Sequence, residues 1–422
     1  MKVPRRIVTH TEKTAEYLAK TSPKLAQLYA NCYLSTVQTA IKKLDDGSLF
    51  VLTGDIPAMW LRDSSAQVNH YVALSDDPQV ADLVKGVISK QLDSILRDPY
   101  ANAFNEEANG RGHTKDIPLN DPWVWERKYE IDSLCYPIRL LYRYVKKTGD
   151  RSLIDARFEK VVRTVIDLWK CEQYHMEKSP YRFERPNAKR KTDTLTHEGM
   201  GNPVTYTGMT WSGFRPSDDA CTYGYLVASN MFAAVELAHA AELLGECALA
   251  SEALELRAQI EEGLKKFAVV EHEKYGKVYA CEADGFGNTI LMDDANIPSL
   301  ISIPYIGYSD ANDELYQNTR KMLLSFDNPY YYEGKCAKGI GSPHTPEGYI
   351  WHLALSMQGL TSICKDEMKE ILDMMVNSDA DTGHMHEGFD ANDPTVFTRP
   401  WFTWSDSLFC EFVDRCIEMG VI

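Results

Sequence analysis

The chain has 422 residues, 44% of them hydrophobic, enough to bury a substantial core. Its 61 acidic against 45 basic side chains leave a net charge of −16, which argues against phosphate backbones and anionic membranes as partners and favours a neutral or cationic one. The N-terminal MKVPRRIVTHTEKTAEYLAK carries basic residues without the apolar run of a secretory signal, and no segment approaches the ~18–20 apolar residues of a membrane span. Ten cysteines, from Cys32 to Cys416, include no CxxC pair and sit mostly in apolar stretches, so they read as reduced core residues. A cytoplasmic protein is expected.

In chain order, Ser22-Pro23 reads as an N-cap and first helical residue, followed by Leu25, Leu28, Tyr29, Cys32 and Thr36 on one face. Ser48–Thr53 is a strand signal. Asp77-Pro78 starts a helix whose inward face is Val84, Val87, Ile88, Leu92 and Ile95, and Asp98-Pro99 ends it. Further helical runs cover 130–148, 153–175, 219–244 and 247–265. Phe267–Glu271 and Lys277–Glu282 flank Tyr275-Gly276 as a hairpin that could help shape a cavity mouth, together with the long loop 178–217. The remaining helical runs are 312–324, 346–360, 366–377 and 401–418. No linker divides the chain, so residues 1–422 read as a single domain.

Polar, aromatic loops alternate with these helices. GDIPAMWLRDSSAQ, WVWERKYEIDSLCYP, TWSGFRPSDDACTYGY, MDDANIPSL, GSPHTPEGYIWH and FTRPWFTWSDSLF are marked by Asp63, Asp132, Asp218, Asp294, Pro346 and Ser405, in steps of 69, 86, 76, 52 and 59 residues. Each step holds about two helices, and a helix pair needs neighbours on both sides to bury its apolar face. Six such units predict an all-α (α/α)6 toroidal barrel with a few short β-hairpins in its loops; an open helical solenoid is the alternative.

Seven of the eight tryptophans lie in these loops: Trp60, Trp123, Trp125, Trp211, Trp351, Trp401 and Trp404. Aromatic platforms beside carboxylates and arginines suit sugars, whose C–H faces stack on rings while their hydroxyls take charged hydrogen bonds. Glycoside hydrolysis needs two carboxyl groups, and the loops offer many, Asp63, Glu130, Asp132, Asp218, Asp219 and Glu387 among them. Spacing does not choose between them. Two adjacent acids at 218–219 would raise one pKa, while a helix N-terminus and Arg215 push the other way; a helix cap with a first-turn acid is the simpler reading. Glu387 sits in GHMHEGFDANDP with no helix of its own to cap. Arg62-Asp63 is either a fixed ion pair or a grip on two neighbouring hydroxyls. His384-x-His386 offers two metal ligands and no clear third, and the glycine after Asp379-x-Asp381 falls at 383 where a calcium loop needs 384. No metal and no cofactor is expected.

The loops quoted above, with HEGFDANDPTVFTRPWFTWSDSLF, resemble the signature segments of glycoside hydrolase family 125, from about residue 25 to the C-terminus. The resemblance implies an (α/α)6 barrel and metal-independent, inverting removal of terminal α-1,6-linked mannose from N-glycan or mannan fragments. It implies Asp218 as general acid and Glu387 as general base. Trp60, Arg62, Asp63, Glu130, Asp132, Trp211, Arg215, His344 and Trp404 resemble residues of the sugar pocket. Inversion would set the two carboxyls roughly 6.5–9.5 Å apart. α-1,6-Mannosides are then the partners, with no nucleic acid, no membrane, and a monomer or weak homo-oligomer. The rivals are an α-glucosidase-like enzyme on the same barrel, a sugar epimerase using His344 and His386, and a non-catalytic sugar-binding protein.

Overall fold

The computed structural model describes residues 2–422 and contains fourteen α-helices among them, numbered α1–α14 in chain order. Six form an inner ring: α3 (Leu61–Asn69), α5 (Ile131–Thr148), α8 (Val227–Leu244), the short α10 (Ile303–Ile306), α12 (His352–Leu360) and α14 (Thr403–Glu418). Each packs on the next, α10 reaching α12 through the 3-10 turn Leu300–Ser302, and α14 closes the ring on α3. Outside lie α2 (Pro23–Ser35), α4 (Pro78–Arg97), α6 (Ala156–Glu172), α9 (Ala248–Phe267), α11 (Glu314–Leu323) and α13 (Lys365–Val376). The remaining two are α1 (Arg5–Leu18), against α2, and α7 (His175–Lys178), against α6.

The sequence explains the outer layer directly. Ser22, Asp77, Asp155 and Asp313 each accept a backbone N–H at a helix start, which satisfies a donor the helix cannot. On α4, Val84, Val87, Ile88, Leu92 and Ile95 are fully buried, each burial contributing about 1.5–3 kcal/mol. The glycine of the same helix, Gly86, lies against Leu49 with no room for a Cβ.

Inner helices start differently. None of α3, α5, α8, α12 and α14 has a side-chain cap. Their first donors go instead to neighbouring loops: Leu61 N to Asn102 O at 3.1 Å, Val227 N to Cys281 O at 2.9 Å, and Ile131 N to Ser212 Oγ at 3.4 Å. Short antiparallel pairs hold those loops in place. Met59–Trp60 pairs with Ala103–Phe104, Tyr225–Leu226 with Glu282–Ala283, and Tyr349–Trp351 with Gly388–Asp390. The hairpins thus do the work of caps and leave the loop side chains for another use.

The first and last loops latch together. Gly54, at φ +96°, lies so close to the Trp401 carbonyl that a Cβ would come within 2.1 Å of its oxygen. Asp55 N donates to the same oxygen at 3.2 Å, and Arg399 Nε donates to Asp55 Oδ1 at 2.9 Å.

Several expectations change. The helix read from 219 begins at Val227, because Ala220–Leu226 is spent on the turn and strand that seat its start, so Asp218 and Asp219 cap no helix. The N-terminal α1 was not anticipated; Ile7, Thr11 and Leu18 are its only buried residues, too sparse a pattern to read. The fourth inner element, α10, is a single turn of α-helix rather than a full one. The hairpin Val269–His272/Gly276–Tyr279 packs on α9 and α11, on the outside of the ring, and does not reach the cavity described below.

Candidate active site

The loops that precede the inner helices meet over one cavity of about 150 Å³. Trp60, Arg62 and Asp63 enter it from the start of α3, Pro216, Ser217 and Asp218 from the loop before α8, and Asn296 from the loop before α10. His344 and Trp351 come from the segment before α12, Glu387, Arg399 and Phe402 from the last two loops, and Trp404 from the first turn of α14. An apolar cavity of about 150 Å³ holds one six-membered carbon ring. This one is lined mainly by polar and aromatic groups, so a ring bearing hydroxyls fits its chemistry.

Arg62 organises one wall. Its guanidinium is buried, with Nη1 2.6 Å from Glu130 Oε2 and 3.0 Å from Asp132 Oδ2. Nε lies 3.5 Å from Asp63 Oδ1 and Nη2 3.7 Å from Asp218 Oδ1. One cation therefore faces four carboxyl groups, more negative charge than it can neutralise. Burial pushes Asp63 up to about 6 despite Arg62 and Arg399. Burial likewise raises Glu130 well above the carboxylate range, with Asp218 and Asp132 adding to it against Arg62. Asp132 is also raised by burial, opposed by Arg62.

Asp218 behaves oppositely. Burial alone would raise it, but Lys128 and Arg62 outweigh that and hold it below its usual value. Lys128 Nζ donates to the Asp218 carbonyl at 2.6 Å, and Asn102 Nδ2 donates to Asp218 Oδ1 at 3.3 Å. The backbone at Asp218 has φ +66°, a left-handed conformation that aspartate adopts at a cost and that concentrates at functional sites. The surroundings thus push these two groups in opposite directions, Glu130 toward its protonated form and Asp218 toward its charged one.

Across the cavity, Glu387 Oε1 stands 3.8 Å from Arg399 Nη1. Arg399 is pinned by Asp55 and stacks over Phe402 at 4.4 Å. His344 Nδ1 approaches Asp219 Oδ1 at 3.6 Å. Burial alone would lower the His344 pKa, yet Asp219, Glu387 and Asp218 together raise it.

Of the eleven residues singled out from the sequence, seven line the cavity: Asp218, Glu387, Trp60, Arg62, Asp63, His344 and Trp404. Glu130 and Asp132 stand behind Arg62. Trp211 is in the core, flat on His175 at 3.5 Å between ring centres. Arg215 is tied to buried Glu282, Nε to Oε1 at 2.5 Å, and neither it nor Trp211 reaches the cavity. Sequence reasoning missed Thr53, Ile56, Pro216, Ser217, Asn296, Arg399 and Phe402 on the lining, and Lys128 and Asn102 beside Asp218. Arg399 and Phe402 sit inside a loop already marked as aromatic and charged; Thr53 and Ile56 carry no such signal.

A ring of six helix pairs whose loops present tryptophans and paired carboxylates to a monosaccharide-sized cavity is the arrangement of a glycoside hydrolase. The chain belongs to glycoside hydrolase family 125: the family described as metal-independent alpha-mannosidase matches residues 22–414. A metal-independent α-mannosidase from Streptococcus pneumoniae, solved as a non-productive substrate complex with α-1,6-mannobiose, is 45% identical at a TM-score of 0.96, over 99% of this chain and 100% of that one. The meiotically up-regulated gene 157 protein of Schizosaccharomyces pombe is 39% identical over 420 residues, 93% of this chain and 82% of that protein. A bacterial glucoamylase solved with acarbose shares the fold at 14% identity and a TM-score of 0.55, over 86% of this chain and 49% of that one.

Proposed function

We propose that this α-mannosidase is exo-acting, removes terminal α-1,6-linked mannose from N-glycan or mannan fragments, and inverts the anomeric centre. The observation that carries the reading is that Asp218 and Glu387, from separate loops, border one cavity sized for a single sugar ring. The Streptococcus pneumoniae relative, bound to α-1,6-mannobiose, supports the linkage.

In this reading the terminal mannose enters with its hydroxyls against Arg62 and Asp63 and its apolar face against Trp60, Trp351 and Trp404. Asp218 gives a proton to the departing 6-oxygen of the next sugar. Glu387 takes a proton from the water that attacks the anomeric carbon from the opposite face. The oxocarbenium-like transition state carries positive charge, which the surplus of carboxylates over Arg62 favours. The acid must be protonated before it can act, and Glu130 is the neighbour that holds the proton. As the leaving oxygen approaches, the proton moves to Asp218 and Glu130 takes up the charge beside Arg62.

The chain acts as a single catalytic domain, a monomer or weak homo-oligomer, in the cytoplasm. Ten unpaired cysteines, six of them buried, support a reducing compartment. No helix among the described residues is long and apolar enough to cross a membrane.

Proton NMR of mannose freshly released from α-1,6-mannobiose by chelator-treated enzyme tests the reading. β-Mannose as the first product is expected. α-Mannose would mean retention and would make Glu387 or Asp218 a nucleophile instead.

A further inference from the structure

Outside the cavity, three side chains from distant parts of the chain meet: Cys32 on α2, His384 in the loop that leads to Glu387, and Asp406 in the first turn of α14. Cys32 Sγ donates to Asp406 Oδ1 at 3.1 Å, and His384 Nδ1 lies 2.9 Å from Asp406 Oδ2. All three donor atoms fall within 4.8 Å of one another. Cys32 and Asp406 are buried, while the His384 side chain is 37% exposed and opens the cluster to solvent. The sequence offered His384-x-His386 as a ligand pair without a third member. The fold separates that pair, stacking His386 on Phe397 at 3.7 Å, and gives His384 two other companions.

Thiolate, imidazole and carboxylate together are a donor set for zinc rather than for calcium or magnesium. A tetrahedral zinc, with Zn–S near 2.3 Å and Zn–N and Zn–O near 2.0 Å, holds sulfur and oxygen about 3.5 Å apart and nitrogen and oxygen about 3.3 Å apart. The separations found here run to the two different oxygens of Asp406, 3.1 Å from Cys32 Sγ to Oδ1 and 2.9 Å from His384 Nδ1 to Oδ2, so a zinc held through one of those oxygens draws sulfur and nitrogen to the same side of the carboxylate.

We propose that Cys32, His384 and Asp406 bind one zinc ion, with water in the fourth position on the exposed side of His384, and that zinc there slows the enzyme. On binding, the Cys32 thiol releases its proton to solvent, the His384 ring carries its proton on Nε2 instead of Nδ1, and three metal bonds replace the two hydrogen bonds. The ion takes no part in glycoside cleavage. It acts through position: Glu387 follows His384 by three residues, Met385 N is held by Asp406 Oδ1 at 2.9 Å, and Trp404 on the cavity wall precedes Asp406 by two. Regrouping the three donors around one ion shifts that loop. Since a misplacement of about 1 Å can cost ~10²-fold, a two- to ten-fold fall in kcat, roughly, is expected.

The test titrates chelator-treated enzyme with zinc chloride by calorimetry and with cobalt(II) by absorption. One zinc per chain is expected, with a thiolate-to-cobalt charge-transfer band. Cys32→Ser loses the band. His384→Gln, a change at a half-exposed side chain that leaves the core intact, weakens zinc at least tenfold and escapes its effect on kcat. No stoichiometric binding, or binding undiminished in His384→Gln, would overturn the site. Zinc bound with kcat unchanged would overturn its effect on the enzyme. The kcat readout rests on the α-mannosidase activity, whereas calorimetry and absorption do not, so a wrong substrate assignment is distinguishable from a wrong metal site.

Discussion

Arg62 donates through Nη1 to Glu130 Oε2 at 2.6 Å and leaves Nη2 facing Asp218 Oδ1 at 3.7 Å, so one guanidinium leans on two carboxyl groups whose proton affinities are pushed in opposite directions. The other oxygen of Glu130, Oε1, is buried with no donor aimed at it. That is the place for a proton.

Glu130→Gln keeps an acceptor for Arg62 but cannot release a proton, and sets an amide donor near Asp218. The Asp218 carboxylate is then stabilised and gives up acid function at lower pH. The expected result is a fall of about 10- to 100-fold in kcat on α-1,6-mannobiose at neutral pH, with the alkaline limb of the kcat profile displaced to lower pH. The pH profile is the measurement, and an unmoved alkaline limb would separate Glu130 from the acid step.

Gly54→Ala places a Cβ against the Trp401 carbonyl, at a φ of +96° that alanine resists. The loop must give way, and with it the Asp55–Arg399 contact that fixes Arg399 beside Glu387. A loss of about 2 kcal/mol or more in chemical denaturation is expected. Residual folded enzyme should show a lower kcat rather than only a lower yield.

How far the sequence reached depended on the kind of signal. Loop composition sufficed for the ring: each of the six marked loops leads into an inner element, down to the single turn at Ile303–Ile306. Caps on the outer helices were equally plain at Ser22 and Asp77. The start of α8 was not, because a two-residue strand and a turn replace its cap and leave no helical signature to distinguish 219 from 227. Trp211 and Arg215 show the limit for the site. Their loop does reach the cavity, but it turns at Pro216, sending Ser217 and Asp218 inward while Trp211 and Arg215 find partners in His175 and Glu282. Which side of a loop faces in is a tertiary matter. The partners that set Asp218, Lys128 and Asn102, lie far from it in the chain.

Away from the cavity, Asp414 accepts a hydrogen bond from Tyr29 Oη at 2.8 Å, yet burial, with Glu411 and Glu418 nearby, pushes it up to about 7. Its folded pKa lies above the unfolded value of about 3.9, so the folded state binds the extra proton. Stability from this group is full below pH ~4 and is lost as pH rises to about 7. Asp414→Asn still accepts from Tyr29 but never ionises. It should raise stability at pH 8 by about 1–3 kcal/mol and leave it nearly unchanged at pH 4. Thermal melts at the two pH values check this; an equal shift at both would refute the titration.

The division of labour between Asp218 and Glu387 is the core of the account, and leaving-group dependence measures it most directly. Asp218→Asn and Glu387→Gln would each be assayed on α-1,6-mannobiose, whose leaving oxygen needs a proton, and on α-mannosyl fluoride, whose leaving group needs little help. Asp218→Asn should lose about 10²–10⁴-fold on the disaccharide and keep most of its rate on the fluoride, while Glu387→Gln should lose both. Equal losses on the two substrates for Asp218→Asn, or a Glu387→Gln variant that still hydrolyses the fluoride at the native rate, would contradict it.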